Sequence, residues 1–215
     1  MKRITATTVA VGGFSSEVGK TTLLCELLRA FPGWEAIKFT RGHYRSCGKS
    51  AEVCCVSHLL ADEPVIRSGR EQTYAPGKDT GRYWEAGASN VHWVIVTDKQ
   101  VERGIELALA RVESPGVFIE GNSFLQFIDV DFAIMSARAS GGQIKPTARR
   151  ALAKSSALYL YDDAGDGSAA RARFDAWRES SPNGALFDNL PVYAREDLPH
   201  LIDSLNALRR AASVA

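Results

Sequence analysis

The chain has 215 residues, 45% of them hydrophobic and 24% charged, and a formal net charge of +1. That is the make-up of one globular domain large enough to bury a full core without disulfide staples. The near-zero charge gives no general pull towards nucleic acid or an acidic membrane, and no apolar run approaches the ~20 residues of a bilayer span.

Residues 4–11 are β-branched and run into Gly12-Gly13, as a buried parallel strand would. No cleavage site separates them from that glycine pair, so they read as a strand and not as a signal peptide. We therefore expect a cytoplasmic protein whose four cysteines are thiols or metal ligands. Residues 21–30 space Leu23, Leu24, Leu27 and Leu28 as a helix does, with Cys25 in its core face, and Pro32-Gly33 stop it. A second strand is predicted over 34–39, with Lys38 at its end, and then an irregular region over 41–78. A short helix follows over 79–88 and a strand over 91–96. A helix over 101–112 and strands over 116–120 and 132–136 come next. The remainder alternates in the same way: a helix at 147–155, a strand at 157–161, a helix at 168–179, a short edge strand in "LPVYA" and a last helix at 198–210. This alternation predicts an α/β fold with a mainly parallel sheet flanked by helices on both faces. We read residues 1–215 as a single domain with an insertion at about 41–75.

The stretch "GFSSEVGKTT", residues 13–22, ends as a phosphate-binding loop does. The usual spacing is G-x-x-x-x-G-K-[ST]. Here Phe14 stands where the first glycine belongs, and Gly13 comes one residue early. The context still suits a phosphate loop, because a buried strand precedes it and a helix follows. Backbone N–H groups of Ser16, Glu17, Val18, Gly19 and the helix start through Thr22 would face an anion. Lys20 would reach the outer phosphates, and the Thr21 hydroxyl would hold Mg²⁺. Glu120, at the tip of the strand "GVFIE", is the second Mg²⁺ candidate. Arg138 follows the strand over 132–136, where a base would dock. No N-K-x-D signature is present, so GTP and ATP both stay open. Lys145, Arg149 and Arg150 read as a solvated face or as a helix start facing an anionic substrate.

A second constellation lies in the insertion. His43, Cys47, Cys54, Cys55 and His58 fall within 16 positions. They are candidate ligands for Zn or an Fe–S cluster. The alternatives are a helix over 51–60 burying small thiols, and a redox pair.

Three segments resemble known families. "GFSSEVGKT" resembles the lengthened loop ending E-V-G-K-T of dethiobiotin synthetase, which makes Gly13 its first glycine and puts Glu17 near the nucleotide. "APGKDTGRYWEAGASNVHWVIVT" resembles the P-G-K-D…R…A-G-A segment of molybdopterin-guanine dinucleotide biosynthesis protein B, MobB. The matches are Pro76, Gly77, Lys78, Asp79, Thr80, Ala86, Gly87 and Ala88. "AIKFTRGHY" is similar to that family's I-K-H-T-H-H segment at Lys38, and both families end a strand in Glu-Gly, as at Glu120-Gly121. The likeness covers roughly residues 4–122.

The resemblance implies a P-loop NTPase of SIMIBI-like architecture. It implies Mg-dependent GTP or ATP binding with slow hydrolysis and an accessory role in molybdenum-cofactor biosynthesis. Its partner would be a molybdenum-cofactor enzyme or maturation protein, and a homodimer is expected. Lys78 and Asp79 would lie near the phosphates, and Lys20, Lys38, Asp79 and Glu120 are the candidate catalytic set. The chain departs from MobB in its insertion, in Asn122-Ser123 after Glu-Gly, and in a C-terminal half without counterpart. Two other readings stay open. One is an ATP-dependent ligase or kinase of the dethiobiotin synthetase kind, with Lys38, Asn122 and Ser123 on its substrate. The other is a metal-handling protein switched by nucleotide.

Overall fold

The computed structural model describes residues 6–42, 56–162 and 167–212. Eight strands among them form one sheet in the order β3-β4-β2-β5-β1-β6-β7-β8. The central strands are β1 (Thr7–Gly13), β2 (Glu35–Arg41), β4 (Val91–Val96), β5 (Gly116–Glu120), β6 (Phe132–Arg138) and β7 (Ala157–Tyr161). All of these pair in parallel, and the short β8 (Val192–Tyr193) joins β7 in parallel too. Only β3 (Val65–Ser68) runs antiparallel, along β4. It lies in the region read as irregular from 41 to 78. Four residues following Pro64 carry too short a pattern to announce a strand, and the β4 edge supplies what they lack.

Helices cover both faces, as the alternation predicts. On one face α1 (Lys20–Ala30), α3 (Asp79–Glu85) and α7 (Leu198–Ala212) bury Leu23, Leu27, Tyr83, Leu201 and Leu205 against Val9, Val11 and Phe118. On the other, α4 (Val101–Leu109), α5 (Pro146–Leu152) and α6 (Gly167–Ser180) pack Ile105, Ala148 and Phe174 against Ala10, Ile119 and Met135. One turn precedes α3, α2 (Arg70–Thr73). The helices expected over 79–88, 101–112 and 147–155 each end about one turn early, where chain ends fray into the next loop.

Parallel pairing brings the C-terminal tips of β1, β2, β5 and β6 to one edge. Register sets Glu120 beside both Val11 and Lys38, and Gly13 beside Ser136. Lys38 therefore lies inside β2, which runs on to Arg41 instead of ending there.

The opposite edge is closed by a buried polar chain. Glu35 Oε1 accepts the backbone N–H groups of Glu113 and Ser114, each at 2.9 Å. Its Oε2 lies 2.7 Å from His92 Nε2, and His92 Nδ1 lies 2.8 Å from Ser68 Oγ. Burial would raise the Glu35 carboxyl, but the His92 bond and the two backbone donors outweigh it and hold the group below its ordinary value. With the folded value depressed, ionised Glu35 contributes stability above its unfolded value of 4.5, lost as pH falls through the folded one. Glu35→Gln should lower the urea midpoint at neutral pH, and the gap to wild type should narrow below about pH 5. Urea titrations of both proteins from pH 7 to pH 3 check this.

Candidate functional site

The loop from Gly13 to Lys20 is sewn to the strands beside it. The Asn122 amide clamps Gly13 on both sides: its Oδ1 accepts Gly13 N–H and its Nδ2 donates to Gly13 O, each at 2.8 Å. Phe14 N–H donates to Ser136 O at 3.0 Å, and Phe14 O accepts Lys145 N–H at 2.9 Å. The Phe14 ring is buried against Phe187 and Trp177, with centroids 5.4 and 6.0 Å away. Further on, Ser136 Oγ donates to the Val18 carbonyl. The residue that breaks the usual spacing is thus the loop's anchor in the core.

Two positive backbone angles then curl the loop. Glu17 has φ +56°, the only non-glycine positive φ among the described residues, and Gly19 has φ +76°. A Cβ on Gly19 would stand 2.1 Å from Cδ2 of Tyr161. α1 starts directly after Gly19 with no side-chain cap on its first N–H groups. Those donors face the cleft and suit an anion.

At the foot of the loop five side chains converge. Thr21 Oγ1 lies 2.8 Å from Glu120 Oε2 and 3.1 Å from Asp79 Oδ1. Lys38 Nζ lies 2.5 Å from Glu120 Oε1 and 2.6 Å from Asp79 Oδ2. Buried Tyr83 donates its hydroxyl to Glu120 Oε2. Burial raises the Tyr83 phenol well above its ordinary value, the Glu120 charge adds to that, and it stays a donor. Burial would lower the Lys38 ammonium, but Glu120 and Asp79 outweigh it and lift it above its ordinary value. For Asp79 burial works upward, and Lys38, Thr21 and Arg82 reverse it to a net fall. Lys20 differs: burial lowers its ammonium below the usual lysine value, and its Nζ rests 2.8 Å from Ser15 O.

These groups line a cleft of about 690 Å³. Six cations reach it, Lys20, Lys38, Arg41, Arg82, Arg138 and Lys145, against the carboxylates of Glu17, Asp79 and Glu120. A chain of net charge +1 has concentrated positive charge here, as an anionic ligand requires.

Most residues expected at the site do line it: Ser16 through Thr22, Lys38, Asp79, Glu120 and Arg138. Gly13 lines an adjoining recess of about 200 Å³, together with Asn122, Ser123, Arg41 and Lys145. Lys78 is the exception. It is the exposed residue before α3 and lines neither space. Asp79 opens the helix and turns inward, while Lys78, one residue earlier, does not share that direction. Of the three basic residues at 145–150, Lys145 reaches the cleft and its Nζ lies 2.9 Å from Ser16 Oγ, while Arg149 and Arg150 are exposed.

Arg41, Arg82, Tyr83 and Tyr161 escaped the sequence reading. Arg82 fell inside the quoted "PGKD…R…AGA" segment, and its Nη2 donates to Thr22 Oγ1 at 3.2 Å. Asn122, taken for a substrate contact, is spent on Gly13. Cys25 is buried on α1 as expected, its thiol pushed up to about 11 by burial. Of the Cys/His constellation, His43, Cys47, Cys54 and Cys55 lie outside the described residues. His58 is exposed, and among the described residues no His/Cys/Asp/Glu group of three or more is placed to hold a metal.

The mainly parallel sheet, with a glycine-bounded loop leading from β1 into α1 at its edge, has the architecture of a P-loop α/β fold. No family model matches the sequence, and no curated protein matches it. Among solved structures, the fold is similar to "apo" form LpxK from Aquifex aeolicus in complex with ATP, at 17% identity and a TM-score of 0.50. The match covers 88% of this chain and 53% of that one, so this chain spans about half the length of that protein. Among the described residues no helix is long and apolar enough to cross a membrane.

Gly19→Ala should disturb the loop twice over, through a left-handed φ and through collision with Tyr161. The backbone term alone is about 1–2 kcal/mol, or roughly tenfold in any affinity that needs this loop shape. Calorimetric titration of the variant with Mg-ATP and Mg-GTP measures it.

Proposed function

We propose that this protein binds a nucleoside triphosphate with Mg²⁺ and hydrolyses it slowly. The observation that carries this reading is the Thr21 hydroxyl set between Asp79 and Glu120 at the foot of the anchored loop. Three oxygens closing on one point, two of them from carboxylates, form a donor set fit for a hard cation, with the Tyr83 hydroxyl holding the Glu120 oxygen in place. Thr21, Asp79 and Glu120 would hold Mg²⁺, which when bound supplies positive charge to the phosphate oxygens.

The chain's own groups do the rest. The loop N–H groups and Lys20 would bind and orient the outer phosphates, with Arg82 and Lys145 adding charge at the cleft wall. The low-lying Lys20 ammonium gains a stable partner when phosphate arrives. In hydrolysis a water oxygen attacks the terminal phosphorus, the bond to the bridging oxygen breaks with its electron pair leaving on the nucleoside diphosphate, and the water's proton passes to a phosphate oxygen and on to solvent. Positioning and charge supply the catalysis.

The "PGKD…AGA" and Glu-Gly segments favour a MobB-like accessory role in molybdenum-cofactor biosynthesis with GTP as ligand. The recess beside Lys20 favours a second reading, transfer to a small anionic acceptor by an ATP-dependent ligase or kinase. It presents Arg41, Lys145 and Ser123 and no carboxylate.

Titration with Mg-ATP and Mg-GTP side by side separates the two, and failure of both to bind would overturn the nucleotide reading. Lys20→Ala removes a charge-assisted contact and should weaken binding about ten- to hundredfold. Retained tight binding in that titration would refute its role.

A further inference from the structure

Lys38 occupies the position where a cation is wanted. Its Nζ bridges Asp79 Oδ2 at 2.6 Å and Glu120 Oε1 at 2.5 Å, while the other oxygen of each carboxylate faces Thr21 Oγ1. The Glu120 side chain is 3% exposed and that of Lys38 19%. Two carboxylates this close, one of them buried, need a positive partner in every state of the protein. Lys38 is the ammonium among the described residues that bonds both. Its long stem comes from inside β2, so the charge can leave the pair without any backbone change.

We propose that Lys38 is a built-in stand-in for the divalent ion: its ammonium closes the Asp79–Glu120 pair in the free protein and yields it when the metal arrives with nucleotide. This deepens the Mg-nucleotide reading and rests on it. Free metal ion then competes with a tethered cation at high effective concentration. A metal–triphosphate complex competes better, because the loop binds its phosphates at the same time. The displaced ammonium stays in the cleft wall and pairs with the anion that brought the metal. The pair is therefore never left uncompensated, and the site discriminates against metal without nucleotide.

Mn²⁺ binding to the nucleotide-free protein, followed by electron paramagnetic resonance of the free ion, tests this. Wild type should bind Mn²⁺ weakly. Lys38→Met should bind at least about tenfold tighter, because the competing ammonium is gone. Adding Asp79→Asn to that variant should abolish the gain. A readout independent of binding is thermal melting. Chelator-treated Lys38→Met should melt below wild type, and Mn²⁺ should restore it while leaving wild type unmoved. Should the Met variant fail to fold, Lys38→Gln keeps two N–H donors without the charge and is used in its place. Equal Mn²⁺ affinity in wild type and variant, or a melting loss that Mn²⁺ does not reverse, would overturn the proposal. The assay contains no nucleotide, so that failure leaves Mg-nucleotide binding to be decided by the ATP and GTP titrations.

Discussion

A nearly buried carboxylate, Glu120, organises this end of the molecule. It sits on the central strand β5, flanked by β1 and β2, and cannot remain there ionised without partners. Lys38 reaches it from β2, Thr21 from α1 and Tyr83 from α3. Three elements distant in sequence are thus tied at one point, and the tie determines how closely α1 and α3 approach the sheet edge. The interaction that compensates the charge also brings the Thr21 hydroxyl and the Asp79 carboxylate to the same point.

The loop from Gly13 to Lys20 depends on the far half of the chain in a similar way. Phe14 is held by Trp177 and Phe187, its backbone by Ser136 and Lys145, and Gly13 by Asn122. An extra residue between the first glycine and Gly-Lys-Thr would leave an ordinary loop slack. Here that residue is driven into the core by its apolar ring, and the slack is taken up. A loop pinned along one side and curled by positive φ at Glu17 and Gly19 has its course fixed by contacts within the chain.

Much of this was legible in the sequence because it is local. The alternation of apolar strands with helical segments marked every central strand and every helix that covers the sheet, and Gly-Lys-Thr between strand and helix marked the loop. β3 was not legible, because its four residues become a strand only by pairing with β4. Arg82, Tyr83 and Arg41 were not legible as site residues, since nothing in their spacing says which face of α3 or which end of β2 meets the loop. Lys78 shows the same in reverse: it adjoins Asp79 in sequence but does not line the cleft with it.

By itself, then, the sequence determined the alternation of strands and helices, the position of the loop between β1 and α1 and the carboxylate at the tip of β5. Those features are set by periodicity and by residues next to one another. Only the tertiary structure decided that Lys38 and Asp79 close on Glu120, that Phe14 is an anchor and that Asn122 serves the loop. Those contacts span tens of residues or more, and they exist because parallel register and helix packing bring the ends of separate strands to one edge.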